Sequence, residues 1–134
     1  LTYLNTDCDY VSNTLVRTHP IGIRSQVFSR KLLEEINSLV TLQKDREHVT
    51  TFICRNKEKR YRLVNVKSKE RQNLPKLRLT LDYPEDFEVT RLIYEKLYPK
   101  NRHFSLDDVI LFLEKNPEIE KINKNCKQIY KEGA

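Results

Sequence analysis

The chain has 134 residues, of which 38% are apolar and 33% charged, with a net charge of +6. That is one domain at most, short for an enzyme with two substrate pockets, yet apolar enough to bury a modest core and too regularly patterned to be disordered. It has no apolar run long enough to span a bilayer and no signal-peptide pattern, and Cys8, Cys54 and Cys126 have the spacing of neither a zinc site nor a disulfide framework, so a reducing, cytoplasmic setting is expected.

The predicted elements alternate strand and helix. Tyr10 to Leu15 is β-prone, and Ile21 to Phe28 forms a second extended piece after the loop Arg17-Thr18-His19-Pro20. Ser29 is a natural N-cap for a helix whose apolar face is Leu32, Leu33, Ile36, Leu39 and Val40. A second helix is expected next, with Asp45, Arg46 and Glu47 in its first turns and Val49, Phe52 and Ile53 as its buried stripe. Cys54 lies beside that stripe, where a buried thiol is the simpler reading. Tyr61 to Val66 reads as a strand, and Leu77, Leu79 and Leu81 alternate with Arg78, Thr80 and Asp82 as a half-buried one. Pro84 suits the first position of a helix carrying Glu85 and Asp86 at its positive end and Val89, Leu92, Ile93 and Leu97 along its buried side. Ser105 and Asp108 open a last helix lined by Leu106, Val109, Ile110 and Leu113, which Asn116-Pro117 should stop. His19 and His103 fall among loop signals and are expected at the surface. This order of elements predicts an α/β layer fold.

Charge is unevenly placed. Arg55 to Arg78 holds ten Lys or Arg against Glu58 and Glu70, a local +8 that leaves −2 for the rest of the chain. Such a block attracts phosphates or nucleic acid, or is simply a solvated face. It lacks interleaved aromatics apart from Tyr61, which ranks a basic nucleic-acid-binding module behind the reading below.

The stretch Leu79-Thr80-Leu81-Asp82-Tyr83-Pro84-Glu85-Asp86-Phe87-Glu88 puts the Asp82 carboxylate between a predicted strand and a helix N-terminus. In open α/β sheets that edge binds ligands, and magnesium bridging phosphates needs only one or two protein carboxylates. On geometry alone Asp82 caps the helix or holds a metal, with capping the commoner use. Arg46, Glu47 and His48 form either one exposed turn with local ion pairs or, through Arg46's planar fork, part of an anion site.

The same stretch resembles the "V-D-T-P-E-D-L-E" signature of cytidylyltransferases that activate 3-deoxy-manno-octulosonate and related sugars, with Tyr83 in place of Thr. Asp9 to Thr14 is similar to the "D-Y-V-S-N-T", and Arg46 to Thr50 to the "R-E-H-V-T", of the spore coat polysaccharide biosynthesis protein F group. Pro20 to Phe28 follows that group's "P-D-G-L-D-V-E-V-F" in part, with Ile21, Arg24 and Gln26 in place of three acids.

The resemblance covers residues 7 to 115 and implies the second, carboxy-terminal half of a Rossmann-like nucleotide-diphospho-sugar transferase domain, a mixed sheet with flanking helices. Residues 1–115 would form this half-domain and residues 116–134 a helical tail. It implies that Asp82 is a Mg2+ ligand and that Asn13, Gly22, Arg46, Glu47 and His48 shape the acceptor side. The reaction implied is transfer of CMP from CTP to a sugar or sugar acid with release of pyrophosphate, for surface polysaccharide or glycoconjugate synthesis. The three replaced acids leave open a non-catalytic remnant of the family.

The chain opens on Leu1 and has only two glycines, Gly22 and Gly133, so it carries no phosphate-cradling loop. It is therefore expected to be part of a longer protein, inactive alone, and to self-associate or pair with a missing amino-terminal half.

Overall fold

The computed structural model describes residues 2–48 and 50–128. They form two compact units, the first from residues 2–17 and 24–67, the second from residues 18–23 and 68–128. The architecture is α/β, a mixed three-stranded sheet with flanking helices.

The first unit opens with a short helix α1 (Thr2–Asn5) and holds the sheet, in the order β2-β1-β3. β1 (Tyr10–Ser12) runs antiparallel to β2 (Gln26–Phe28) and parallel to β3 (Leu63–Asn65), with Val11 opposite Val27 and Val64. A parallel pair needs a crossover. Here it contains α2 (Arg30–Leu39), α3 (Gln43–Glu47) and α4 (Thr51–Arg55). The Ser29 hydroxyl accepts from the Leu32 N–H at 3.0 Å, satisfying one of the donors that a helix start leaves open. Leu32, Ile36 and Val40 are buried with Tyr10, Ile53 and Tyr61, and the Tyr10 and Phe28 rings stack at 5.9 Å. Leu33 and Leu39, expected on that face, are exposed.

Two short helices stand where one was expected. α3 ends at Glu47, His48 leaves helical geometry, and α4 starts at Thr51. The pair brings Arg55 onto the buried Asp45, an ion pair that a straight helix would not form at a spacing of ten residues. Val49 lies outside the described residues.

The second unit holds a 3-10 turn (Glu70–Gln72), α5 (Pro84–Leu97), α6 (Leu106–Lys115) and α7 (Pro117–Ile122). Its core contains Leu77, Val89, Ile93, Ile110, Leu113 and Ile119. Ile119 comes from α7, within the segment 116–134 expected as a helical tail; Asn116-Pro117 ends α6 and at once starts α7. Residues 129–134 lie outside the described residues.

The strand expected over Leu77–Asp82 is reduced to one bridge, Arg78 beside Ile21. The Ile21 N–H donates to the Leu77 carbonyl at 2.8 Å and the Leu79 N–H to the Ile21 carbonyl at 2.7 Å. Alternation fails here: Arg78 is 4% exposed and Leu81 60% exposed. The charge on Arg78 is buried because two carboxylates meet it, so its place in the pattern is set by pairing rather than by hydropathy. His19, expected at the surface, is half-buried, while His103 is exposed.

Candidate functional site

Asp82 lies two positions before α5, and Tyr83 between them is the cap. The carboxylate that caps α5 is Asp86, three residues past the cap, whose Oδ2 accepts from the backbone N–H of Asp82 at 3.0 Å and of Tyr83 at 3.1 Å. This corrects the geometric reading of Asp82 as the capping acid. Asp82 is left with its side chain partly exposed, its Oδ2 accepting from Arg78 Nη2 at 2.9 Å and from Thr80 Oγ1 at 3.4 Å. Its Oδ1 takes no hydrogen bond among the described residues.

Beneath Asp82 lies a buried polar cluster. Arg78 donates in a fork to Asp86, Nε to Oδ1 and Nη2 to Oδ2, both at 2.8 Å. Its Nη1 reaches Gln128 Oε1 at 2.9 Å, and its guanidinium lies 5.5 Å from the centre of the Tyr83 ring. Asn123 Nδ2 donates to Asp86 Oδ1 at 2.8 Å and to the Arg78 carbonyl at 3.1 Å. Asp86 is 0% exposed. Burial pushes its carboxyl pKa upward, but the hydrogen bonds from Arg78, the Asp82 N–H and Asn123 outweigh that and hold it at about 2.

Gly22 belongs to the same unit. It has a φ of +99°, and a Cβ there would come within 2.5 Å of the Leu79 carbonyl oxygen and 2.7 Å of the Thr80 nitrogen. Its role in the structure is close approach of two backbones, two residues short of Asp82.

The other candidates belong to the first unit. Asn13 is buried, its Oδ1 accepting from the Ser25 N–H at 2.8 Å, which extends the β1–β2 pairing by a side chain. Arg46 folds back onto the carboxyl end of α2, donating to the Val40 carbonyl at 3.1 Å and to Asn37 Oδ1 at 2.9 Å. A cation is favoured there by the helix dipole. Glu47 and His48 are exposed at the end of α3.

Three of the motif stretches meet in this unit at residues the sequence reading did not select. With the Gln26 amide turned so that both its atoms are satisfied, its oxygen accepts from the Tyr10 hydroxyl at 3.0 Å and from Arg24 Nε at 2.7 Å, and its nitrogen donates to Thr50 Oγ1 at 3.1 Å. Cys54 Sγ lies 3.5 Å from the same hydroxyl. Burial, then Cys54, pushes the Tyr10 pKa up to about 12, so Tyr10 stays a hydrogen-bond donor at neutral pH.

Among the described residues, five of the ten basic residues of the block have carboxylate partners. Arg55 pairs with Asp45, Arg60 with Glu35 and Glu58, Arg62 with Asp7 and Asp9, Arg71 with Glu114, and Arg78 with Asp82 and Asp86. The three cysteines are free.

A divalent cation would find one carboxylate here. Among the described residues no three acids, histidines or cysteines converge on a point. A single partly exposed carboxylate with one oxygen unbonded fits a phosphate-bridged magnesium ion, which keeps several waters and takes few protein ligands.

Sequence reasoning missed Arg78, Asp86 and Asn123. Asp86 carried only the general signal of an acid in the first turn of a helix, which it shares with Glu85. Asn123 carried none, because only tertiary packing brings it to the cluster.

No family model matches the chain. It is 33% identical over 106 residues to the spore coat polysaccharide biosynthesis protein SpsF of Bacillus subtilis, covering 78% of this chain and 43% of that protein. It is 32% identical over 130 residues to the uncharacterized protein MJ1063 of Methanocaldococcus jannaschii, covering 93% of this chain and 49% of that one. A cytidylyltransferase structure from Leptospira borgpetersenii superposes with a TM-score of 0.79 at 27% identity, over 98% of this chain and 51% of that one. The chain thus spans about half the length of the relatives it matches. By sequence and by fold it belongs to the cytidylyltransferase family.

Proposed function

We propose that this chain is part of a nucleotidyltransferase that activates a sugar or sugar acid with CTP, forming a CMP-sugar for surface polysaccharide or glycoconjugate synthesis. The observation that carries this reading is the superposition of 98% of the chain on a cytidylyltransferase, together with its identity to SpsF. In the reaction a sugar hydroxyl attacks the α-phosphate of CTP and pyrophosphate leaves. Mg2+, when bound, neutralises charge on the phosphates. Asp82 is the residue of this chain that would hold it; Asn13, Gly22, Arg46, Glu47 and His48 would serve the acceptor side. CTP and the acceptor are the partners, and the cytoplasm is the setting. No helix of the described residues is long and apolar enough to cross a membrane.

The test is Asp82→Asn in the complete enzyme, with melting temperature and CMP-sugar formation measured together. Asn keeps the size of the side chain and removes the charge a hard cation needs. A metal role gives near-normal melting and a rate loss of orders of magnitude, partly restored by excess metal. Unchanged turnover would reject it.

A further inference from the structure

Asp82 is held at two points. Its backbone N–H is fixed by Asp86 Oδ2 at 3.0 Å and its side chain by Arg78 Nη2 at 2.9 Å. Neither partner is free to move. Asp86 and Arg78 lock each other in a fork of two 2.8 Å hydrogen bonds, which fixes the guanidinium plane as well as its distance. Asn123, 2% exposed, then bonds both members of that pair, one through its carboxylate and the other through its carbonyl. The order at Asp82 is thereby set from α7, which ends one residue before Asn123.

We infer that Arg78, Asp86 and Asn123 are positioning residues that present the Asp82 carboxylate with Oδ2 tethered and Oδ1 open to a ligand. The inference rests on the reading of Asp82 as a metal ligand and adds the groups that aim it. A tethered carboxylate loses less freedom when it binds, so loosening the tether weakens binding without removing a ligand. A merely structural cluster would instead stabilise the fold and leave Asp82 indifferent to it.

Two substitutions separate these outcomes because both preserve net charge, so any change in cation affinity reports geometry. Asn123→Ala removes the outer hold, and Arg78→Lys keeps the charge opposite Asp86 but loses the fork. Ile119→Ala, in α7 but outside the polar cluster, is the control for simple destabilisation. In the full chain, MnCl2 is titrated while paramagnetic broadening of the amide signals of residues 81–83 is followed by NMR, and hydrogen exchange of the Asp82 and Tyr83 amides is measured.

Asn123→Ala and Arg78→Lys should each raise the manganese half-saturation by about tenfold, the usual effect of removing a residue that orients a metal ligand. The two amides should exchange about tenfold faster, as expected for loss of one charge-assisted hydrogen bond. Ile119→Ala should lower the melting temperature and leave the manganese curve in place. Unaltered manganese half-saturation and exchange in both variants would overturn the inference, as would an equal shift in Ile119→Ala. If Asn123→Ala does not fold, Arg78→Lys decides alone. Broadening that persists in Asp82→Asn rejects the metal reading by itself, and the amide exchange rates then decide whether Asp82 is held from Asn123.

Discussion

At the scale of single residues, the buried cluster makes Asp86 a sensitive position. The folded-state pKa of Asp86, about 2, lies below the ordinary carboxylate value of 3.8. The unfolded chain therefore takes up the proton first, and stability that is full above pH 4 or so drains away as pH falls toward 2. A gap of that size corresponds to on the order of 2 kcal/mol. Urea midpoints measured from pH 5 down to pH 2 should fall through this window, and fall less in Asp86→Asn. At neutral pH the same variant leaves Arg78 buried without its fork, a defect that costs about 3 kcal/mol. Gly22 is the other sensitive position. Gly22→Ala would set a methyl against the backbone of Leu79 and strain a φ of +99°, so a loss of about 2 kcal/mol or more is expected in chemical unfolding. A Gly22→Ala variant as stable as the parent would show that this close approach is not maintained.

Among the elements, helices were more legible than strands. The cap at Ser105 is as its spacing predicts: the hydroxyl accepts from the Asp108 N–H at 3.3 Å, and Asp108 Oδ2 accepts from the Ser105 N–H at 2.8 Å. The backbone N–H of Ser105, then its hydroxyl, lowers the Asp108 pKa. Ser105→Ala should cost about 1 kcal/mol, read as a lowered melting temperature with turnover of the complete enzyme unchanged. Helix signals are local, since the caps and the apolar stripe lie within a few residues of one another. Strand signals depend on partners far away in sequence. Tyr10–Leu15, Ile21–Phe28 and Tyr61–Val66 each contain a strand of only three residues, and Leu77–Asp82 contains a single bridge, to Ile21. Alternation there was a false guide because an arginine with two carboxylate partners can occupy a buried place.

For the whole molecule, the governing fact is that the chain spans about half the length of its relatives. The 134-residue chain alone, supplied with CTP, Mg2+ and a panel of sugar acids, should release no pyrophosphate. Release above background would show that the active centre is complete within this chain. Large apolar side chains such as Leu81, Phe87 and Tyr94 are exposed on the second unit. Self-association is therefore expected in sedimentation at rising concentration, since patches of this kind usually meet a partner. A strictly monomeric chain would contradict that expectation.

The α/β class, the caps at Ser29 and Ser105, the start of α5 at Pro84 and the family itself were all determined by the sequence, because each depends on residues close together or on a contiguous motif. The tertiary structure decided which acid does what before α5. Asp82 and Asp86 are four residues apart and equally acidic, and nothing local tells the exposed carboxylate from the buried one. Their roles separate only when Arg78 and Asn123, the latter from beyond α7, arrive at Asp86. Those donors make burial of Asp86 tolerable by replacing the water it loses, and Asp82 is left at the surface with one oxygen open.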